Sequence, residues 1–131
     1  APPAPGVNWD FCAKPAADLS RASLAGLSAR NARLAGASLV GANLRDADLA
    51  YADLSAADLS LAEAPRGRLV GANLRQARLN HARFIGADLS FADLTGAEIA
   101  GADFTTARLS NTIWVDGRVC GRDAVGVCAA P

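Results

Sequence analysis

The fold is decided by a stretch in which one five-residue pattern repeats without interruption: residues 42–61 read ANLRD ADLAY ADLSA ADLSL. Outward from this stretch, every fifth residue is large and apolar, with two alanine exceptions, and the residue two places before it is almost always alanine. These twenty positions are Leu19, Leu24, Ala29, Leu34, Leu39, Leu44, Leu49, Leu54, Leu59, Ala64, Leu69, Leu74, Leu79, Phe84, Leu89, Leu94, Ile99, Phe104, Leu109 and Trp114. A period of five fits neither the alternation of a strand nor the turn of a helix, so the sequence indicates an internal-repeat architecture.

Within one repeat, the small and the large residue flank a polar one. Ala42 and Leu44 therefore point to one side of an extended segment, while Asn43 points to the other. Three extended residues leave two for a turn, and glycine often occupies the second of these, as at Gly36, Gly41 and Gly71. A chain that turns after every short side closes into a coil, with the large residues inside.

The charges on the outward residues indicate how many sides one coil has. At a separation of twenty residues, all eight charged pairs of outward residues are opposite in sign, whereas separations of fifteen or twenty-five also give like-charged pairs. The eight pairs are Arg33 with Asp53, Asp48 with Arg68, Asp58 with Arg78, Glu63 with Arg83, Arg68 with Asp88, Arg78 with Glu98, Arg83 with Asp103, and Asp88 with Arg108. We therefore predict four sides per coil, with opposite charges stacked at the strand spacing of about 4.8 Å.

Units such as Ala42-Asn43-Leu44 and Ala87-Asp88-Leu89 resemble the A-[D/N]-L-x-x motif of the pentapeptide-repeat family. The resemblance implies an all-β fold, a right-handed quadrilateral parallel β-helix of about five coils. The right-handed sense agrees with the general rule for parallel crossovers. We predict three segments: an N-terminal linker and cap over residues 1–16, the β-helix over residues 17–116, and a C-terminal cap over residues 117–131.

The N-terminal segment has two predicted parts. Its opening, residues 1–6, is rich in proline, and the chain contains no methionine. A leader removed on export or a trimmed chain would both account for this start, and we expect the former. Val7, Trp9 and Phe11 then supply large apolar side chains, which we expect to plug the open end of the coil.

The C-terminal segment contains two of the three cysteines. Residues 114–117, together with Cys120 and Cys128, resemble the C-terminal caps of exported members of the family. We expect a disulfide between Cys120 and Cys128, which contributes about 2 to 3 kcal/mol to stability. A disulfide favours a periplasmic or secreted location, with the cytoplasm as the alternative. Cys12 is either a buried thiol or a cysteine whose partner was lost with the leader.

The repeat departs from its pattern at residues 64–68, where alanine replaces the expected leucine and a proline follows it. One interpretation is a local bulge whose missing volume is partly filled by Phe84. The other is a recognition loop, for which Pro65, Arg66 and Arg68 form a candidate interaction loop.

Composition and spacing exclude several classes of function. Lysine plus arginine and aspartate plus glutamate are balanced at 13 each, so no net charge attracts nucleic acid, and no apolar run is long enough for membrane insertion. Three distant cysteines and the single histidine, His81, do not form a four-ligand metal site. No residue is placed to form a catalytic relay with His81, so we predict no enzymatic activity and no cofactor.

The sequence therefore predicts a structural or interaction module for an unidentified protein partner. A first alternative is mimicry of DNA towards a type II topoisomerase, which the family resemblance suggests. It needs a continuous acidic surface, and only the column Asp53, Asn73, Asp93 lacks an arginine over several coils. A second alternative is adhesion to a carbohydrate or another surface. Tyr51 and Phe91 share one column for such a platform, but we interpret them as corner residues that pack on their neighbours.

Overall fold

The chain coils with a period of twenty residues. The computed structural model describes residues 6–130. In it, parallel bridges join each outward residue to the one twenty positions later, in an unbroken series from Asn8 with Ser28 to Asp93 with Ile113. Each side is three residues long and pairs through one central residue with the sides above and below it, and two residues turn the corner to the next side. No α-helix is present in residues 6–130.

Four columns of bridged residues define the four faces of the rod. Face 1 contains residues 8, 28, 48, 68, 88 and 108; face 2 contains 13, 33, 53, 73, 93 and 113; face 3 contains 18, 38, 58, 78 and 98; face 4 contains 23, 43, 63, 83 and 103. We number each corner after the face that it follows, so corner 1 includes residues 10–11 and their equivalents, and corner 4 includes residues 65–66 and theirs. The predicted right-handed quadrilateral β-helix is confirmed.

The core consists of the alanines and the large apolar residues of the repeat. Leu27 and Ala29, whose order is the reverse of the usual one, are both buried. Phe84 and Phe104 stack in adjacent coils with ring centroids 5.5 Å apart, and Trp114 meets Phe104 edge-on at 5.3 Å. Each enclosed leucine or phenylalanine stabilises the rod by about 1.5 to 3 kcal/mol before conformational entropy is subtracted.

Every corner is a tight turn with a left-handed residue at its second position. At a typical corner, the N–H of Ala22 donates to the carbonyl of Leu19 over 3.1 Å, and Arg21 has a φ of 59°. A positive φ confined to the third residue of a hydrogen-bonded turn is the signature of a type II turn. Fourteen residues other than glycine adopt a positive φ, so the coil imposes this conformation even where the residue does not favour it.

The N-terminal end departs from the prediction in two ways. The parallel ladder begins at Asn8, within the segment predicted as a linker and cap, and residues 1–5 lie outside the described part of the chain. Val7 and Trp9 pack against the core as predicted, and the Lys14 ammonium lies 4.6 Å from the Trp9 ring centroid. The prediction for Phe11 was wrong: it is 75% exposed, because the chain turns after Trp9 and points Phe11 away from the core.

The irregular stretch at residues 64–68 does not interrupt the ladder. Glu63 remains bridged to Arg83, and Arg68 remains bridged to both Asp48 and Asp88. The expected bulge was therefore wrong. Pro65 occupies the first corner position, whose N–H the ladder does not use, so a proline fits there without loss of a backbone hydrogen bond.

The C-terminal segment folds back across the last coil. Arg108 and Ile113 form antiparallel bridges with Val125 and Val119, which cover the unpaired edge of faces 1 and 2. The predicted disulfide joins Cys120 to Cys128. Residues 6–130 contain no helix with the length and apolar character that crossing a membrane requires.

Candidate functional site

Corner 4 carries a shallow cleft at the place where the repeat is irregular. The cleft has a volume of about 180 Å³ and is lined by Arg45, Glu63, Pro65, Arg66, Arg83 and Ile85. Three of these residues are first-corner residues of successive coils, and two are bridged neighbours on face 4. Residues twenty apart in sequence are therefore adjacent in the cleft.

Arg66 is held in place by the preceding coil. Its Nε donates to Oδ1 of Asp46 over 2.9 Å, and its Nη2 donates to Oδ2 over 3.2 Å, so the pair is bidentate. The hydrogen bond from Arg66 lowers the pKa of Asp46, and the same contact raises the pKa of Arg66. Both side chains are exposed, so the pair orients the guanidinium more than it stabilises the fold.

The three residues of the candidate loop predicted from the sequence lie on two different parts of the rod, a corner and a face. Pro65 and Arg66 line the cleft, whereas Arg68 lies on face 1, where its Nη1 is 3.5 Å from Oδ2 of Asp48. Arg45 and Arg83 complete the cleft and were not identified from the sequence. Arg45 lies twenty residues before Pro65, and Arg83 lies twenty residues after Glu63. Since the charge pattern had already indicated a coil of twenty residues, this spacing could have placed both arginines beside the irregular stretch.

The cleft has an excess of positive charge. Among the described residues, neither Arg45 nor Arg83 forms an ion pair, and both are exposed. Glu63 is the one carboxylate in the lining, and Asp46 is already bound by Arg66. Two guanidiniums therefore point to solvent beside a rigid proline corner, an arrangement that suits carboxylate or phosphate groups of a ligand.

The charge ladders have the predicted register but form few ion pairs. Of the eight predicted pairs, three lie within ion-pair distance: Asp48 with Arg68 at 3.5 Å, Asp58 with Arg78 at 4.0 Å, and Arg78 with Glu98 at 3.4 Å. Paired or not, the outward aspartates also bind their own corner. Oδ1 of Asp53, for example, accepts the backbone N–H of Ser55 over 3.0 Å and its hydroxyl over 2.7 Å. The outward aspartates and asparagines thus close the corners, a role that sequence reasoning missed.

These local hydrogen bonds also govern the acidity of the aspartates. The Ser20 side chain lowers the pKa of Asp18, and the Thr105 side chain lowers the pKa of Asp103, each through a hydrogen bond. The backbone N–H of the same residue lowers each pKa to a smaller extent. Burial raises the pKa of Asp93, but hydrogen bonds from Thr95 and from Arg75, whose Nη1 lies 3.0 Å away, outweigh it and lower the pKa overall. Arg75 therefore also neutralises one carboxylate of the predicted acidic column.

The described residues offer little that suits catalysis. Within residues 6–130, no three histidine, cysteine, aspartate or glutamate side chains are grouped so that they could hold a metal ion. His81 is an exposed corner residue with a φ of 60°. Cys12 is partly buried on the inward side of the first coil and has no disulfide partner among the described residues.

The repeat pattern assigns the chain to a family. The family model described as pentapeptide repeats matches residues 17–47, 30–63 and 68–111, in 8 copies. The chain belongs to the pentapeptide-repeat family. The matches to the pentapeptide-repeat model omit residues 64–67, so the cleft at corner 4 lies where this chain departs from the family pattern.

The chain is similar to solved structures of pentapeptide-repeat proteins, and the first of those that follow shares its fold. Rfr23 from the cyanobacterium Cyanothece 51142 is 24% identical over 84% of this chain and 89% of its own, with a TM-score of 0.55. HetL from Nostoc sp. strain PCC 7120, involved in heterocyst differentiation regulation, is 20% identical over 88% and 92%, with a TM-score of 0.47. A protein of the Arabidopsis thaliana thylakoid lumen is 28% identical over 91% and 81%, with a TM-score of 0.42. No curated protein matches the sequence.

Proposed function

We propose that this protein is a non-enzymatic interaction module that binds an acidic segment of a protein partner at corner 4. The observation that carries the proposal is the pair of exposed guanidiniums of Arg45 and Arg83, which form no ion pair among the described residues, beside Pro65 in the stretch that the family-model matches omit between residues 63 and 68. Members of the family are repeat solenoids, and a rod of this kind holds surface groups at fixed intervals.

The rigidity of the corner favours binding. Pro65 fixes its own backbone, and the bidentate contact with Asp46 fixes the Arg66 guanidinium, so a ligand does not have to order these groups. Charged contacts at the rim of an interface mainly speed association and select the partner. We therefore expect partner binding that weakens as salt concentration rises.

We further propose that the protein acts in the periplasm or outside the cell. The disulfide between Cys120 and Cys128 supports this location, because such bonds persist in oxidising compartments and are rare in the cytosol. Mass spectrometry of the protein from fractionated cells, alkylated before reduction, tests the location. Reduced cysteines in a cytoplasmic fraction would contradict it.

The test of the interaction compares two charge-matched double variants. Arg45→Gln with Arg83→Gln removes the free guanidiniums of the cleft, and Arg21→Gln with Arg122→Gln removes two arginines elsewhere that also lack ion pairs among the described residues. Each protein is cross-linked in an exported fraction, and the affinity of any recovered partner is then measured directly. We expect the cleft variant to bind about tenfold or more weakly and the control to bind like the wild type.

Equal binding by both variants would reject corner 4 as the interaction site.

The competing DNA-mimic function needs a continuous acidic surface. Here the chain is neutral overall, and Arg75 contacts Asp93 in the column that runs through Asp53, Asn73 and Asp93. A supercoiling assay with DNA gyrase tests that alternative, and we expect no effect at micromolar concentrations of the protein.

A further inference from the structure

One corner of the rod collects the exposed aromatic side chains. The second positions of corner 1 are Phe11, Asn31, Tyr51, Gly71, Phe91 and Asn111, so an aromatic residue alternates with a small or polar one. Phe11, Tyr51 and Phe91 are 75%, 59% and 62% exposed. The other aromatic residues, Trp9, Phe84, Phe104 and Trp114, all occupy inward positions of the repeat.

The three rings form a regular line along the rod. They are two coils apart, which is about 9.6 Å at the strand spacing of about 4.8 Å. Their φ values are 62°, 59° and 62°, so the three side chains leave the backbone in the same direction. Each of them occupies a strained left-handed position in which glycine or asparagine would be more stable. Neither burial nor backbone preference explains aromatic residues at these positions.

The ring of Tyr51 extends along the corner towards the next coil. A Cβ atom on Gly71 would overlap the ring, so the glycine provides the space in which the tyrosine lies. Gly71 thereby keeps the interval between the Tyr51 and Phe91 rings free of a side chain at the second corner position.

The corner residues beside the rings are uncharged from the third coil onwards, whereas the first two coils place Asp10 and Arg30 at this corner. The first positions of corner 1 from the third coil onwards are Ala50, Val70, Ser90 and Ser110. At the N-terminal end, the Asp10 carboxylate already accepts the Ser28 hydroxyl over 2.6 Å and the Arg30 N–H over 2.9 Å. Asn31 and Asn111 supply amides that can both donate and accept. Asn111 also lines a cavity of about 430 Å³ at the C-terminal cap.

We propose that corner 1 binds a neutral β-1,4-linked polysaccharide, a chain of glucose or N-acetylglucosamine, lying along the rod axis. In such a chain every second sugar presents the same face, at an interval close to the spacing of the rings. The apolar C–H face of a pyranose stacks on an aromatic ring, whose face is electron-rich. Three rings therefore contact the first, third and fifth sugars, while the amides of Asn31, between the first two rings, and of Asn111, beyond the third, bind hydroxyl groups.

The collinear, evenly spaced rings favour a polymer with a fixed repeat over a protein surface. A protein interface groups its aromatic anchors near a centre, in pockets surrounded by other contacts. Corner 1 is instead a narrow edge, and from the third coil onwards its own residues carry no charge, which matches an uncharged chain. This inference concerns a different corner from the cleft of the proposed function and does not depend on it.

The experiment measures binding of the purified full chain to cellohexaose and chitohexaose by titration calorimetry, and to microcrystalline cellulose and chitin by co-sedimentation. Maltohexaose, whose α-1,4 linkages curve the chain, is the comparison sugar. We expect both β-1,4 hexasaccharides to bind, affinity to rise with length up to the pentasaccharide, and maltohexaose not to bind. Each of Phe11→Asn, Tyr51→Asn and Phe91→Asn should weaken binding by about three- to tenfold.

The matched control is Leu61→Asn, because Leu61 is 58% exposed with a φ of 62° on the opposite corner. Asparagine already occupies positions 31 and 111, so the variants should fold, and circular dichroism checks this. Absence of binding to either β-1,4 hexasaccharide at millimolar concentration would overturn the proposal. So would retained binding in the triple variant, or an equal loss in the Leu61 control. The proposal would also be overturned if the wild type bound a protein partner and no sugar, and if the ring variants lost that partner. Corner 1 would then be a protein interface.

Discussion

At the residue scale, the second corner position determines where glycine is required. Side chains there extend over the corner of the next coil, as Tyr51 does over Gly71 and His81 over Gly101. A glycine twenty residues after a bulky corner residue therefore meets two demands, a positive φ and space for the ring. Gly36 meets only the first, because no atom lies within 4 Å of a Cβ placed there.

Gly71→Ala should therefore destabilise the protein more than Gly36→Ala does. Both variants place alanine at a positive φ, at a cost of about 1 kcal/mol. Gly71→Ala must also displace the Tyr51 ring, which adds up to about 1 kcal/mol. Chemical denaturation measures the free energy of unfolding. Adding Tyr51→Asn should bring the Gly71 variant level with Gly36→Ala, and an unchanged difference would show that the ring is not the cause.

The aspartates of the faces give the protein a predictable response to acid. The pKa of Asp103 is lowered from 3.8, chiefly by the Thr105 side-chain hydrogen bond and also by the Thr105 N–H. Because the folded pKa lies below the unfolded value, the stabilisation is present above pH 3.8 and is lost as the pH falls through the folded pKa.

Asp103→Asn should lower stability slightly at pH 7, because an uncharged oxygen accepts hydrogen bonds less strongly, and should remove the loss that Asp103 contributes at acid pH. The asparagine oxygen still accepts the Thr105 N–H but does not titrate, and Asn43 and Asn73 close their corners in this way. Thermal unfolding of both proteins from pH 7 to pH 2 measures the difference. If the unfolding temperatures of the two proteins fell by the same amount towards pH 2, the Thr105 hydrogen bonds would not depend on ionisation of residue 103.

At the element scale, the corners explain where proline is tolerated. Pro15 and Pro65 both occupy first corner positions, and the face residues before them are Ala13 and Glu63. At many other corners, an aspartate or asparagine on the face accepts the N–H of the first corner residue, as Asp58 does from Ser60 over 3.0 Å. Proline removes that N–H, so it suits only the corners that do not use it.

Ala35→Pro should therefore be neutral or stabilising by up to about 1 kcal/mol, because Arg33 leaves the Ala35 N–H without this bond and proline restricts the unfolded chain. Ser60→Pro should destabilise by about 1 kcal/mol, since Asp58 loses its donor. Unfolding free energies of the two variants measure the contrast. An equal loss in both would mean that the corner backbone, and not the Asp58 contact, rejects proline.

On the faces, the sequence predicted which residues are neighbours but not which of them form ion pairs. Charge alternation at a separation of twenty residues correctly gave four sides per coil, because the ladder places those residues opposite one another. It did not give the ion pairs, since the aspartates of the faces accept the N–H two residues on whether or not an arginine is also near. Within residues 6–130, an arginine of an adjacent coil lies within 4.0 Å of Asp48 and Asp58 but not of Asp53 or Asp103, and this difference depends on distances rather than on order in the chain.

At the scale of the whole molecule, the C-terminal end is closed by a separate device. The N–H groups of Leu109 and Trp114 donate to the carbonyls of Ala124 and Arg118, at 2.9 and 2.8 Å, so the returning segment pairs with the last coil. The Cys120 to Cys128 disulfide restrains that segment. In a solenoid each coil contacts only its neighbours, so loss of the cap should have local effects.

Reduction of the disulfide should open the cap while the central coils stay folded. The loss of the bond weakens the cap by about 2 to 3 kcal/mol, so hydrogen exchange should accelerate at the amides of Leu109 and Trp114 but not at Leu59. Exchange measured by mass spectrometry with and without reductant tests this, with Cys128→Ser as the genetic equivalent. Faster exchange throughout the chain would mean that the disulfide stabilises the whole rod.

The sequence by itself determined the architecture, because a five-residue period with apolar residues at two fixed positions allows only a coil with those residues inside. It also determined the coil length through the outward charges. Tertiary structure alone decided what meets at the surface. The cleft joins Arg45, Pro65 and Arg83 from three coils, and Phe11 joins the aromatic line only because the ladder begins at Asn8. The physical reason is that a core position is set by the local repeat, whereas a corner side chain takes its direction from a left-handed backbone and from the residue in the next coil.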